Sequence, residues 1–373
     1  MNNKCICLVL MMPFFMVFHT WAATDPSSAL TPLYGYQDDN QGTTTLDNAA
    51  VEQPETPSVL PFLGDEARKR GYDLPEPFGI NINYMNIRQN INVDSIDFTG
   101  LSLDGRNQAA IQNAICSNAK KGKLCNKAVS DAFNKAFGHG PVSLDNAFDI
   151  GVGKTRESSK TETLKFDTWL FPFMNVYGLL GHTEGHSISQ IAVGLKSPNG
   201  KVVPLPHMQD LDFKLDFKGT TYGVGTTLAG GVGNWFAVLD GNYTQTRFDI
   251  LDGSIDAFTF SPRVGYRFTT PEVEMLHLPS GKLNVWVGSM YQDVQEEFKG
   301  SLNDLTMPSA MLQNMVNFAN QDDKGRFDVK QHLQSPWNML VGAQYEVTRN
   351  FNVTTEIGFA ERNSFFIAGE YRF

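Results

Sequence analysis

The sequence predicts an all-β fold: a transmembrane, antiparallel up-and-down β-barrel of about ten strands with a short helical insertion. Three observations in its second half support this. Apolar and polar residues alternate over long segments, aromatic residues stand near the segment ends, and short connections alternate with long ones. The segments run for about 10 to 14 residues. A tilted strand needs about 9–11 residues to cross a membrane, whereas an average strand has about 5–6.

The alternation is clearest in residues 337–347. The odd-numbered residues there are all apolar, whereas the even-numbered ones include Asn338, Gln344 and Glu346. Residues 351–360, 258–268 and 235–244 show the same alternation, with the even-numbered residues apolar in 258–268. Because successive side chains of a strand point to opposite faces, each segment has one apolar face and one polar or small face. A soluble periplasmic β-sandwich would show the same alternation and stays open as an alternative.

Aromatic residues and connection lengths favour the membrane. Membrane barrels carry aromatic residues at both interfaces, and they alternate short periplasmic turns with longer extracellular loops. The connections at 347–351 and 230–234 are tight, whereas 300–335 reads as a loop of about 36 residues. The aromatic residues at predicted strand ends are Trp235, Tyr266, Phe268, Trp337, Phe351 and Phe373.

Ten strands can be placed from the C-terminus backward, and an even number brings both chain ends to one side. Residues 147–153 and the hairpin-like segment 78–98 could each add a strand, which gives twelve as the alternative. The predicted strands are 363–373, 350–361, 336–347, 282–299, 255–268, 234–248, 219–231, 175–195, 160–171 and 78–98.

The N-terminus has the layout of an exported protein. An apolar run from Ile6 to Phe18 follows Lys4 and precedes small residues, which predicts a signal peptide at 1–22 with cleavage after Ala22. The run is shorter than the roughly 20 residues of a membrane-spanning helix. Residues 23–76 are rich in Pro, Thr, Asp, Asn and Gln and predict a flexible periplasmic leader. The barrel domain is then 77–373.

The charge and the cysteines limit the partners. The formal net charge is −10, which argues against nucleic acid because phosphate binding needs a basic surface. Cys116 and Cys125 are expected to form a disulfide in an oxidising compartment. They lie in an insertion at 100–146, whose residues 105–137 have apolar residues at helical spacing and predict two short helices. This insertion either caps or enters the lumen, or it is a surface loop. No cofactor is expected.

The C-terminal residues carry the most specific pattern. Apolar or small residues recur at steps of two and the last residue is aromatic: Phe365, Ile367, Gly369, Tyr371 and Phe373. This pattern resembles the β-signal of Gram-negative outer-membrane β-barrel proteins, over the last nine residues only. The resemblance implies export to the cell outer membrane. It also implies two partners, outer-membrane lipid and the barrel-assembly machinery.

Charged residues on the polar faces point to the lumen. Charge is tolerated there because lipid is not adjacent. Either these residues form a salt-bridge network that fills a narrow barrel, or they line a water path. Ten to twelve strands lie between the filled barrels of about eight and the open ones of about 16, so filling is favoured. Glycines 223, 225, 342 and 358 would leave room for a channel. The predicted lumen charges are Asp240, Arg263, Arg267, Glu346, Glu356, Glu370 and Arg372.

Histidines offer one weak candidate site. On an extended strand His182, Glu184 and His186 would share a face, and such a set can hold zinc or copper. Gly181 and Gly185 instead suggest a turn that breaks this register. We therefore expect a polar hairpin tip and no metal.

The sequence leaves two functional classes open. The first is a surface-exposed barrel, either a narrow porin-like pore for small solutes or a structural protein that contacts host surface molecules. The second is an outer-membrane hydrolase of lipid or peptide, which needs a base and a nucleophile. His186 and Ser187 are sequence neighbours and would point apart on a strand. No catalytic pair is predicted.

Overall fold

The structure is a computed structural model. It describes residues 59–72, 74–116, 122–137, 142–145, 147–196, 201–205, 207–249, 251–271 and 281–373. The predicted signal peptide, and the predicted leader as far as residue 58, lie outside this part. From Val59 the chain is structured: helix α1 (Gly64–Lys69) lies beside the barrel, and Phe62 N donates to Leu170 O over 2.8 Å. None of the helices in the described ranges is long and apolar enough to cross a membrane.

Ten long antiparallel strands form one closed ring. Strands are numbered in chain order, and four shorter strands, β2, β3, β6 and β11, lie outside this ring of ten. The ten are β1 (Phe78–Thr99), β4 (Phe148–Phe171), β5 (Met174–Lys196), β7 (Leu211–Val232), β8 (Trp235–Phe248), β9 (Asp252–Thr270), β10 (Gly281–Ser301), β12 (Trp337–Thr348), β13 (Phe351–Phe359) and β14 (Asn363–Arg372). Each pairs with the next, and β1 pairs with both β14 and β4. This ring excludes the soluble β-sandwich.

Three of the turns contain two residues each: 172–173, 233–234 and 349–350. They lie at the end of the ring where Phe78 meets Phe373, which we call the terminal end. The two longest connections, 100–147 and 302–325, lie at the opposite end, which we call the cap end, whereas the ten-residue connection 271–280 lies at the terminal end. The predicted barrel of ten strands is confirmed. Residues 147–153 do not form a separate strand, because residues 148–153 are the first part of β4.

The prediction of a long loop at 300–335 was wrong. This segment contains a 3₁₀ turn at Leu302–Asp304, a helix at Ala310–Ala319 and strand β11 (Arg326–Leu333). Strand β11 pairs with the cap-end parts of β1 and β10. Nearer the terminal end, β12, β13 and β14 fill the same gap between β1 and β10. The cap half therefore has eight strands in its wall and the terminal half has ten.

The outer face of the terminal half is apolar, which we call the lipid belt. On β9 it runs from Phe258 to Phe268. At about 3.3 Å per residue and a tilt of about 40°, this length spans about 25 Å, the height of the apolar band of membrane barrels. Every strand of the ring contributes an exposed apolar side chain: Ile82, Phe166, Leu180, Val224, Leu239, Val264, Val287, Val341, Ile357 and Ile367.

In the cap half the apolar residues of the strands face the lumen and the polar residues face outward, the reverse of the lipid belt. On β7, Tyr222 and Val224 point outward in the lipid belt, whereas Thr221 and Gly223 face the lumen. Nearer the cap end, Phe213, Leu215 and Phe217 are buried inside and charged residues alternate with them outside. The cap half is built like a water-soluble barrel, because its wall is polar outside and apolar inside.

A hydrophobic core fills the cap half. Its buried residues are Leu101, Ile191, Val193, Met208, Phe213, Leu215, Phe217, Phe298, Leu302, Leu305, Met307, Leu312, Val316, Ala319, Phe327 and Val329. Phe217 of β7 and Phe298 of β10 come from strands separated by two others, and their rings lie 5.5 Å apart. The core therefore crosses the lumen. A barrel of about eight strands is just filled by its own side chains.

Two helices form the insertion. Short strands β2 (Ser102–Leu103) and β3 (Val142–Ser143) pair at its base, and α2 (Gly105–Cys116) and α3 (Gly122–Phe137) extend from them. Cys116 and Cys125 form a disulfide between the helices. Arg106 pairs with Asp322, and Asn107 donates to the carbonyl of Phe318, so the insertion rests on the segment that fills the lumen. The helix at Ala310–Ala319 is α4, and β6 (Val202–Pro204) pairs with β5.

Candidate functional site: the barrel lumen

A polar cavity of about 420 Å³ occupies the lumen beneath the cap core. Inward positions of all ten ring strands line it, because in the terminal half the polar side chains point away from lipid. A second cavity of about 180 Å³ lies nearer the terminal end, around Trp169, Trp286 and Arg372. These two cavities and their charged side chains are the candidate site.

An ion pair crosses the lumen between the two cavities. Arg263 Nε and Nη2 donate to the two carboxylate oxygens of Glu356 over 2.7 and 3.0 Å. Trp286 Nε1 donates to the same carboxylate over 2.7 Å. The Glu356 side chain is 7 % exposed. A buried bidentate pair with a third donor has its charges and hydrogen bonds satisfied, so it is rigid.

A second network closes the terminal end. Arg372 Nη1 donates to Asp167 over 3.0 Å, and the two side chains are 3 % and 1 % exposed. The amides of Asn81 and Asn175 donate to the same carboxylate over 2.8 and 2.6 Å. Glu370 also pairs with Arg372. The network joins β1, β4, β5 and β14, and so fixes the seam where the chain ends meet.

In the lumen, the ring of Tyr177 fills the space left by the missing side chain of Gly225. Tyr177 donates to the carboxylate of Asp240 over 3.0 Å, and Thr227 donates to it over 2.6 Å. The ring of Tyr177 lies against Gly225, where a Cβ would overlap it. Trp286 lies against Gly342 in the same way. The expectation that glycines 225 and 342 leave room for a channel is therefore wrong, because aromatic rings from neighbouring strands fill that room.

Threonine hydroxyls form a chain along the cavity wall. Thr161, Thr183, Thr221 and Thr246 lie on four successive strands of the ring and are linked by hydrogen bonds of 3.0, 2.6 and 2.7 Å. The sequence analysis did not identify them. Their signal was a threonine at an inward position of each strand, but the cross-strand register that aligns them is a property of the fold.

Two carboxylic acids meet just below the cap core. Glu157 of β4 and Glu296 of β10 are 4 % and 3 % exposed and interact with each other. Their outward neighbours include Arg156 and Glu297, so this level lies beyond the lipid belt. Burial, followed by the charge of Glu157, raises the pKa of Glu296 well above its ordinary value. Burial also raises the pKa of Glu157, which accepts from Gln89 over 3.0 Å.

All seven predicted lumen charges point into the barrel, most of them in pairs or networks. Besides those described above, Arg267 donates to Asn284 over 3.1 Å and Lys282 lies 3.8 Å from Glu346. The structure does not unite them in one site. Arg263 and Glu356 form the central pair with Asp240 beside it, whereas Arg372 and Glu370 belong to the terminal network.

The predicted histidine candidates lie on the outer face. The turn expected at 181–185 is absent, because β5 runs without a break through His182, Glu184 and His186. These residues share the outward face, and Glu184 approaches Lys160 at 4.0 Å. In the described ranges, no three His, Cys, Asp or Glu side chains are arranged to hold a metal ion.

The cavity lining holds polar groups without a catalytic pair. No histidine is among the described residues that line the larger cavity. The described His–carboxylate contact is His332 Nδ1 with Asp94, at 2.8 Å on the exposed outer face of the cap half. Its cross-strand neighbours are Asn92 and Gln295, neither of which is a nucleophile. The lumen can hold water and fix the wall, and its charges already have partners.

Comparisons with known proteins give weak structural likeness. No protein family matches the chain, and no curated protein is similar in sequence. The β-domain of a Bordetella autotransporter is similar in structure, with 9% identity, a TM-score of 0.30, and coverage of 80% of this chain and 100% of that one. For an outer-membrane channel of Pseudomonas putida F1 the values are 9%, 0.28, 81% and 97%. For a toluene transporter of Ralstonia pickettii they are 10%, 0.28, 80% and 90%.

These TM-scores are too low to support an argument about the fold. The closed ring and the apolar outer face define that fold within the chain itself: it is a transmembrane β-barrel, of the kind found in outer membranes.

Proposed function

We propose that this protein is a closed outer-membrane barrel that presents a rigid cap at the cell surface, as a structural or host-contact protein and not as a solute pore. The observation that carries the proposal is the hydrophobic core across the cap half of the lumen. Phe298 and Leu302 are 0 % exposed and Phe327 is 2 % exposed. Water and ions have no polar path through such a core.

The orientation follows from the connections. Outer-membrane barrels have short turns on the periplasmic side and longer loops outside. In this chain the two-residue turns lie at the terminal end and the two longest connections, 100–147 and 302–325, lie at the cap end. The cap then faces the outside, and its outward charges on β7, such as Asp212 and Lys214, are in water.

Opening the lumen by moving residues 302–319 would be costly. Six buried apolar side chains would be exposed: Leu302, Leu305, Met307, Leu312, Val316 and Ala319. At about 1.5–3 kcal/mol for each larger side chain, the cost is on the order of 10 kcal/mol. Since each 1.4 kcal/mol is a factor of ten, roughly one molecule in ten million would be open.

Single-channel recording in planar bilayers tests the proposal. The mature barrel should show no steady conductance. A matched variant replaces 303–324 with Asn-Gly, which suits a two-residue hairpin because Leu302 N already bonds to Gly325 O at 3.0 Å. It also carries Phe217→Ala and Phe298→Ala, and it should conduct. Steady conductance of the unmodified barrel would contradict the proposal and favour the narrow pore.

A further inference from the structure

We propose that Arg88, Arg156 and Lys160, on the outer face of β1 and β4, bind the phosphate groups of a phosphorylated lipid in the surrounding membrane. We call these three residues the basic cluster. The proposal rests on the placement of the barrel in an outer membrane with its cap outside, and it adds a specific lipid partner.

The register of β1 and β4 brings the three cations together. Arg88 is directly opposite Ser158, and all of these residues lie on the outward face. Arg156 and Lys160 are two residues to either side of Ser158, so both are diagonal neighbours of Arg88. Such neighbours are about 7–8 Å apart at their Cα atoms, within reach of long side chains. The three charged groups can therefore surround one phosphate, beside the Ser158 hydroxyl.

The two arginines of the cluster are not neutralised by the protein. Neither Arg88 nor Arg156 forms an ion pair or a side-chain hydrogen bond with any residue in the described ranges, and both are exposed. Lys160 approaches Glu184 of β5 at 4.0 Å, and both side chains are more than half exposed. Unpaired arginines present planar donors that match a phosphate.

Several outward cations elsewhere in the cap half have carboxylate partners. Lys214 lies 2.7 Å from Asp216. Lys299 and Lys330 lie 2.7 and 3.4 Å from Glu297. In a chain with a net charge of −10, the basic cluster is a local concentration of cations.

The height of the cluster suits a lipid headgroup. The lipid belt ends at Tyr84 on β1 and at Leu164 on β4, and both Arg88 and Lys160 lie four residues farther toward the cap end. At about 3.3 Å per residue and a tilt of about 40°, this is about 10 Å above the hydrocarbon. A phosphate carried on the headgroup of an outer-leaflet lipid is at that level, whereas a soluble anion would have no reason to concentrate there.

Lipid binding by the purified full-length mature barrel tests this assignment. The probes are lipid A, which is a phosphorylated glycolipid, the same lipid after enzymatic removal of its phosphates, and inorganic phosphate alone. Binding is measured by native mass spectrometry from detergent and by titration. The variant is Arg88→Gln with Arg156→Gln, and the control is Lys299→Gln with Lys330→Gln, which removes the same charge from paired lysines. Heat-modifiable migration on a gel confirms that each variant is folded.

The expected result is tight binding of lipid A by the wild type and by the control, with about tenfold weaker binding by the arginine variant. Equal binding by the arginine variant overturns the assignment, as does equal binding of the dephosphorylated lipid. If inorganic phosphate alone binds as tightly as lipid A, the site is for a free anion and the lipid assignment is overturned. A conducting wild-type barrel would refute the proposed function and leave this result unaffected.

Discussion

Arg263 on β9 reaches Glu356 on β13 across the lumen, although two strands separate them in the sheet. Their contact braces two parts of the wall that are three strands apart, at the centre of the membrane half. Because both charges are out of water, removing one of them leaves the other uncompensated.

Breaking this pair should strongly destabilise the barrel. We expect Glu356→Gln to lower the free energy of unfolding by about 3–5 kcal/mol, since the guanidinium of Arg263 stays buried without its carboxylate. Urea unfolding in detergent, followed by tryptophan fluorescence, measures the change. Arg68→Gln breaks an exposed pair with Asp65 and should change it by less than about 1 kcal/mol. Equal effects of the two variants would contradict the brace.

Gly225 should resist even a methyl group. We expect Gly225→Ala to cost about 1–3 kcal/mol, because its Cβ overlaps the ring of Tyr177. Gly230 lies on the same strand, and a Cβ there meets no atom within 4 Å, so Gly230→Ala is the matched control. The same urea experiment compares them. If Gly225→Ala is as stable as the control, Tyr177 does not fill the lumen at this point.

The acid pair below the cap should make stability depend on pH. Glu296 has a pKa raised above its unfolded value, so the folded chain holds its proton to higher pH. Stability from this group is therefore present in acid and is lost as the pH rises from the unfolded pKa through the folded one.

Replacing that acid should remove the dependence. We expect Glu296→Gln to raise the unfolding temperature at neutral pH by roughly 2–4 °C for each kcal/mol gained, and to leave it nearly unchanged in acid. Thermal unfolding across the pH range measures this. Glu297→Gln is the neighbouring control, since burial does not dominate there and lysines lower the pKa of Glu297. A variant with the same pH profile as the wild type would refute the interpretation.

The last residue should be needed for assembly. Phe373 exchanges backbone hydrogen bonds of 2.9 and 3.1 Å with Phe78, which close the ring, and the two aromatic rings stack 6.1 Å apart. We expect deletion of Phe373 to remove most of the heat-modifiable protein from the outer-membrane fraction. Phe359→Ala also removes an exposed ring from the lipid belt, and it should assemble normally. Normal assembly without Phe373 would contradict the resemblance to the β-signal.

Local pattern was enough to predict the strands of the lipid belt. In that half each strand has lipid on one side and a polar lumen on the other, so alternation in a segment such as 337–347 reports the fold directly. The same signal was present at 211–217, where Leu211, Phe213, Leu215 and Phe217 alternate with charges. We nevertheless began this strand at residue 219. The apolar residues change phase between Phe217 and Tyr222, and only the fold explains that change.

The interior depended on tertiary structure. The sequence by itself predicted a ring of ten or twelve strands and which charges avoid lipid, because these follow from a period of two along one strand. It also predicted the helical insertion from apolar residues at helical spacing. Only the fold decided that β11 replaces three strands near the cap, that Phe217 meets Phe298 across the lumen and that Tyr177 lies on Gly225. These contacts join residues far apart in the chain, and the register and closure that bring them together are set by the whole ring and by no single strand.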